Sequence, residues 1–272
     1  MHFGLYGQAG LFVWSIQEDP VTGEAVPGRT ILAEADVVGV AVAAEAGTKP
    51  DASGESKAAA GEAEELESAP APEPAASVEK ADVNGVIPLF DGKTLGSWEK
   101  TQFGGEGDVF VDEEGNLEFG FGAVISGVNW KGDPPATSNY EISLEAMKLD
   151  GNDFFLALTF PVKDSHATFV VGGWGGGVVG ISSVDDLNAS ENETMNIEGF
   201  EKDVWHKIRV RVTDDKLQAW IDDENKVDLE LEGRKISLLP GDIELSVPIG
   251  IAAYQTRAQY RNIVWRNLEG GK

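Results

Sequence analysis

Residues 204–231 read VWHKIRVRVTDDKLQAWIDDENKVDLEL, and the alternation in this stretch decides the fold. Ile208, Val210 and Val212 alternate with Lys207, Arg209 and Arg211. After the acidic turn at Asp214-Asp215, Leu217, Ala219 and Ile221 alternate with Gln218, Trp220 and Asp222. A second turn, Asp222 to Asn225, leads into Val227, Leu229 and Leu231. Successive side chains of a strand point to opposite faces, so a period of two on both sides of a short polar turn marks antiparallel strands with one face buried. Three strands joined as hairpins are expected here, and with them an all-β domain.

The same pattern extends outward over residues 86–268. Asp112 to Asn116 separates Val109–Val111 from Leu117–Phe119 and reads as a hairpin turn. The Pro134-Pro135 pair marks a loop. Tyr140, Ile142, Leu144 and Ala146 alternate with Glu141, Ser143 and Glu145 in another half-buried strand. Residues 154–160 are almost wholly apolar, as suits a central strand covered on both faces. Two short strands flank the glycine-rich run at 172–177, and 249–254 and 260–268 supply closing strands. About eleven to thirteen strands and no amphipathic helix point to a two-sheet antiparallel sandwich with jelly-roll-like connections.

Before this domain the composition changes. Residues 1–46 contain apolar runs broken by Glu34, Asp36 and Glu45, shorter than the ~18 apolar residues of a membrane-spanning helix. A weakly structured leader or a divergent targeting segment is expected there. Residues 47–85 are rich in Ala, Glu, Pro, Ser and Lys and hold no aromatic residue, so they read as a disordered acidic linker unable to offset its own chain entropy. The 272 residues carry a formal charge of −26 and no cysteine. That charge argues against nucleic acid and anionic membrane surfaces, both of which demand basic patches. Lack of Cys excludes disulfides and thiol nucleophiles, and with only three His it disfavours zinc.

Three segments taken together resemble the 3-keto-disaccharide hydrolase domain family. They are Leu89-Phe90-Asp91-Gly92-Lys93-Thr94-Leu95-Gly96-Ser97-Trp98, then Val204–Ile208 with Ala219–Asp222, and finally Tyr260–Leu268. The resemblance implies a concanavalin A-like lectin/glucanase sandwich and a carbohydrate-directed role, either as a hydrolase or lyase of oxidised sugars or as a non-catalytic binding or structural surface module. It also implies export, because family members are often exported bacterial proteins. Many members carry a Gly-Asn-Ser-Gly run; here only Gly151-Asn152 remains, followed by Asp153-Phe154.

Glycosidases ordinarily use two carboxyl groups flanking the scissile bond. The alternate-acid spacing of sandwich glucanases is absent from the expected strands, and Asp112–Glu114 and Asp222–Glu224 fall at hairpin tips. Strand parity offers a different cluster. With Phe154, Leu156, Leu158 and Phe160 turned to the core, Asp153, Phe155, Ala157 and Thr159 face outward, joined by His166, Thr168 and Val170. Asp153, Asp164 and His166 are the catalytic candidates for acid–base work. Trp174, Thr168 and the outward Trp220 are the substrate-binding candidates, since an indole offers a flat apolar face and an N–H donor. The competing reading makes Trp174 an end cap of the sandwich and His166 a loop contact. Residues 172–177 lack the Lys-Ser/Thr ending of a phosphate loop. Asn188 and Asn192 open glycosylation-type tripeptides. A Ca²⁺ held by Asp150–Asp153 or Asp185-Asp186 stays open.

Overall fold

The computed structural model of the chain describes residues 3–7, 10–18, 25–31 and 85–268. The chain divides into two units, residues 1–68 and 69–272. In the first, β1 (Phe3–Gly7), β2 (Gly10–Glu18) and β3 (Ala25–Ile31) form an antiparallel sheet, with Phe3 opposite Trp14 and Phe12 opposite Ile31. Apart from these strands and Gly85, the expected leader and linker lie outside the described residues.

The second unit grows from the alternating stretch at 204–231. It forms β14 (Trp205–Val212), β15 (Lys216–Ile221) and β16 (Glu224–Glu230), paired as successive hairpins. Ile208, Val210, Val212, Leu217, Ala219 and Ile221 are each no more than 1% exposed. Burying a large aliphatic side chain contributes roughly 1.5–3 kcal/mol, so a one-residue slip, which would turn the whole set outward, is strongly opposed. On the far side of β14 lies β9 (Tyr140–Gly151), and β9 pairs with the long closing strand β18 (Thr256–Asn267). Three short strands complete this eight-stranded sheet: β6 (Val109–Val111) and β7 (Leu117–Phe119) continue it, and β4 (Val86–Pro88) also pairs with β18.

Against it packs a seven-stranded sheet in the order β13-β12-β11-β10-β17-β8-β5. Its members are β5 (Trp98–Lys100), β8 (Ile125–Trp130), β10 (Leu156–Val162), β11 (Ser165–Gly172), β12 (Val178–Ser182), β13 (Asn196–Ile197) and β17 (Gly250–Tyr254). The domain is therefore the expected all-β two-sheet sandwich. Among the described residues its only helical turns are at Gly173–Gly176 and Asp242–Ser246. It has fifteen strands, more than the eleven to thirteen expected, because strands such as β4, β5 and β13 are only two or three residues long and carry no readable period.

Two buried tyrosines tie the layers together. Tyr140 on β9 donates its hydroxyl to the Pro161 carbonyl on β10, and Tyr260 on β18 donates to the Phe155 carbonyl at 2.6 Å. Burial holds both phenols well above their ordinary range.

One expectation is corrected at the entry to β10. Phe155 is fully buried in the core between the sheets, whereas Phe154 packs on the opposite side, against Ala157 and Val170. Parity holds only along extended chain, and Phe155 occupies a bend before β10 begins at Leu156, so Phe155 and Leu156 both point inward.

Candidate functional site

The face of the seven-stranded sheet turned away from the core is paved with small side chains. In register across it run Gly127, Ala252, Ala157, Val170 and Gly180 on β8, β17, β10, β11 and β12. The next row holds Gly250, Thr159, Thr168 and Ser182, and the Thr159 and Thr168 hydroxyls bond each other at 2.9 Å. Small residues leave room above a sheet, and a hollow of about 320 Å³ opens there. Its floor is Ala157, Thr168, Val170 and Ser182, and Phe154, Tyr254 and Ile125 wall one side. The segment from Leu239 to Ile243 walls another, and Trp174 stands at the mouth, 46% exposed. Sites of this size and character suit small organic ligands. Among the described residues its only ionisable lining groups besides the Tyr254 phenol are Asp153 and Asp242. Among the described residues no basic side chain lines it.

Trp174 sits in a turn where the chain is left-handed at Gly172 (φ 78°), Trp174 (φ 49°), Gly175 (φ 89°) and Gly176 (φ 103°). Glycine adopts this region freely, whereas a bulky side chain there is a true outlier. Asp153 holds the turn in place. Its Oδ2 accepts the Gly175 N–H at 3.2 Å, its Oδ1 accepts the Phe154 N–H at 2.8 Å, and its backbone bonds the Thr256 hydroxyl. Both carboxylate oxygens of Asp153 are thus engaged by backbone amides, which makes it a brace for the Trp174 turn. Asp242 differs, being exposed on the rim with no side-chain hydrogen bond or ion pair among the described residues.

Of the residues singled out from sequence, Asp153, Thr168 and Trp174 line this one hollow. His166 lies on the same strand as Thr168 and shares its parity, but toward the hairpin end and outside the lining. Burial pushes its imidazole below the ordinary histidine range. Asp164 is exposed in the two-residue turn between β10 and β11. From His166 to Gly172 β11 covers six steps, about 20 Å at ~3.3 Å per residue, so the structure does not gather Asp164 and His166 with Asp153 and Trp174. Trp220 points outward as parity requires, but from the other sheet. Its ring is capped by the Arg209 guanidinium at 3.8 Å, with Arg211 at 5.5 Å, and both arginines bond Glu141. Trp205 is covered in the same way by Arg261 at 4.0 Å. These indoles lie on a polar face where arginines pair with glutamates.

Other motifs resolve into structural work. In the opening segment, Asp91 Oδ1 accepts the amides of Lys93 and Thr94, while buried Trp98 donates to the Leu89 carbonyl at 2.7 Å. His206 bonds Asp222 at 2.6 Å and packs against Phe200. The Asn192 side chain is buried, bonding the carbonyls of Ile181, Leu187 and Asn188 and accepting from Thr194, so its amide is unavailable for glycosylation. Asp150 pairs with Lys202, Asp185 with Arg234 and Asp186 with Lys235. Among the described residues no three His, Asp or Glu side chains gather as a metal site.

Sequence reasoning missed Phe154, because parity fails at the bend, and Tyr254 and Ile125, which reach the hollow from distant strands. It missed the 239–243 wall altogether, since an irregular covering segment has no period to read. The visible signal was the small-residue composition of β17 and β12.

A family model described as a 3-keto-alpha-glucoside-1,2-lyase-like domain matches residues 85–266. No curated protein matches the chain. Among solved structures, the carbohydrate-binding module CBM66 from Bacillus subtilis is 14% identical, with a TM-score of 0.42 over 62% of this chain and 95% of that one. The Crh5 transglycosylase in complex with NAG is 12% identical, with a TM-score of 0.47 over 70% and 87%. The VIP36 exoplasmic/lumenal domain, in a Ca²⁺/Man3GlcNAc-bound form, is 9% identical, with a TM-score of 0.45 over 71% and 92%. These likenesses are too distant to carry a ligand or a reaction across.

Proposed function

The chain belongs to the family of 3-keto-alpha-glucoside-1,2-lyase-like domains, and from that premise we propose that it captures the ring of a 3-keto-α-glucoside in the hollow beside Trp174. The observation that carries this reading is Trp174 itself, half-exposed and fixed in a left-handed turn at the mouth of a cavity walled by Phe154 and Tyr254. A pyranose presents a C–H face that stacks on an indole, while its hydroxyls remain free for solvent and for the polar rim. The acidic, base-free lining suits an uncharged sugar. Removing a central aromatic anchor typically costs about 2 kcal/mol or more, equivalent to roughly thirtyfold in affinity. Calorimetric titration with methyl 3-keto-α-D-glucopyranoside therefore yields a measurable affinity for the intact protein and a loss of about thirtyfold for Trp174→Ala. Absence of binding by the intact protein, or unchanged affinity in the variant, contradicts the assignment.

The free carboxylate of Asp242 favours a second reading, in which the bound sugar is cleaved. Hydrolysis by two paired acids is poorly served, because Asp153 is committed to the Gly175 and Phe154 amides. Elimination needs less. The C3 ketone acidifies the C2–H, so one carboxylate suffices to remove that proton. The electron pair forms the C1–C2 double bond, the C1–O bond breaks, and the departing alcohol takes a proton from water. General-base catalysis contributes about 10²–10⁴-fold. Asp242→Asn is expected to cut turnover of the same probe by at least about a hundredfold while retaining its binding. Equal turnover in the two proteins removes Asp242 from the reaction.

A further inference from the structure

The floor of the hollow beside Trp174 is apolar along one row and hydroxylic along the next. Ala157 and Val170 pair in the first row, Thr168 and Ser182 in the second, and all four line the space. Buried hydroxyls are costly unless something bonds them, so their protons and acceptors have to be accounted for.

Thr159 and Thr168 are 0% and 2% exposed, and their hydroxyls bond each other at 2.9 Å. Two hydroxyls carry two protons, and one bond uses only one of them. Neither hydroxyl makes another hydrogen bond among the described residues. Were Thr168 the donor, the leftover proton would sit on Thr159, which is fully buried and does not line the hollow. A donor stranded in the interior is costly, so Thr159 donates and the Thr168 proton is left to the hollow. Ser182 is 4% exposed and lines the same space, and its hydroxyl makes no hydrogen bond among the described residues.

Thr168 and Ser182 are register partners on β11 and β12. Directly opposed residues hold their Cβ atoms about 4.5–5.5 Å apart on one face of a sheet. Two O–H bonds of about 2.8 Å can span that gap by meeting on a single ligand oxygen. The rest of the row supplies no rival partner. Gly250 has no side chain, and Ser246 closes over it so tightly that a Cβ there would lie 2.4 Å from the Ser246 carbonyl oxygen. Asn129, beyond Gly250, is occupied by Thr101 and Glu99. Resting on the reading above, we propose that Thr168 and Ser182 form an orienting pair, which together bind one oxygen of the sugar ring and decide which edge of the ring points to the floor. A ring turned the other way sets that oxygen over Ala157 and Val170, where no side chain can bond it, and leaves both hydroxyls unpaired.

The test is calorimetry on the intact chain and on Ser182→Ala, with methyl 3-keto-α-D-glucopyranoside and its analogues lacking the oxygen at C2, C3, C4 or C6. Because Ser182 bonds no other side chain, the substitution should leave the thermal midpoint unchanged. The parent probe should bind Ser182→Ala about five- to tenfold more weakly than the intact protein. One analogue, the one without the contacted oxygen, should bind the two proteins within about twofold of each other, while the other three show the full loss. Equal affinity of the parent probe for both proteins, or the same loss for every analogue, overturns the pair and leaves the site at Trp174 standing. Failure of the parent probe to bind the intact protein overturns both.

Discussion

Trp174 adopts φ 49° and ψ 52°, a conformation that disfavours a bulky side chain by about 1–3 kcal/mol and persists only where surrounding structure enforces it. The enforcement comes from the flanking glycines and from Asp153, whose Oδ2 receives the Gly175 amide. Deleting that carboxylate frees the turn without touching the core. A net hydrogen-bond contribution of about 0.5–1.5 kcal/mol sets the scale, so Asp153→Ala should weaken sugar binding by about three- to tenfold. Because Asp153 acts through Trp174, the same substitution should make little further difference once Trp174→Ala is present, and a double-mutant cycle by calorimetry reads that coupling. Additive losses would mean that Asp153 meets the sugar directly. From sequence, Asp153 and Trp174 were both placed beside the outer face of one sheet, but the parity used for Asp153 does not survive the bend at Phe155, since Phe154 lines the same hollow. The role of Asp153 was not legible, since a carboxylate that bonds a backbone amide 22 positions away leaves no local signature.

At the scale of elements, the strands of 204–231 were readable because their environment is regular, with one face dry, one wet and tight turns between. Parity gave the direction of Trp220 correctly but could not say which sheet would carry it, since pairing partners are chosen by contacts distant in sequence. It failed at Phe154-Phe155, where a bend replaces the pleat. That bend has its own anchor, because Tyr260 crosses from β18 to donate to the Phe155 carbonyl in the core. Tyr260→Phe keeps the ring and strands the carbonyl, at a cost of about 1–3 kcal/mol. Chemical denaturation should show that loss in the midpoint with an unchanged slope. Since Phe154 lines the hollow next door, sugar affinity should fall as well. A variant as stable as the parent would mean that the Phe155 carbonyl finds another donor.

Over the whole molecule the two sheets divide the labour. The outer face of the eight-stranded sheet satisfies itself, with arginines 209, 211, 257 and 261 pairing to glutamates 141, 118 and 145 and covering the indoles of Trp205 and Trp220. Exposed pairs of this kind contribute little stability each. The seven-stranded sheet instead presents small residues under one hollow, with the half-exposed Trp174 beside it. The family's opening motif builds the turn before β5 and contributes nothing to the lining of the hollow beside Trp174. The most direct test is a crystal of the Asp242→Asn protein soaked with the 3-keto-α-glucoside. Density for one pyranose ring stacked on Trp174, over the floor formed by Ala157 and Val170, is the expected result. A sugar seated on the eight-stranded sheet at Trp205 or Trp220, or an empty hollow beside Trp174 at saturating ligand, would contradict the account.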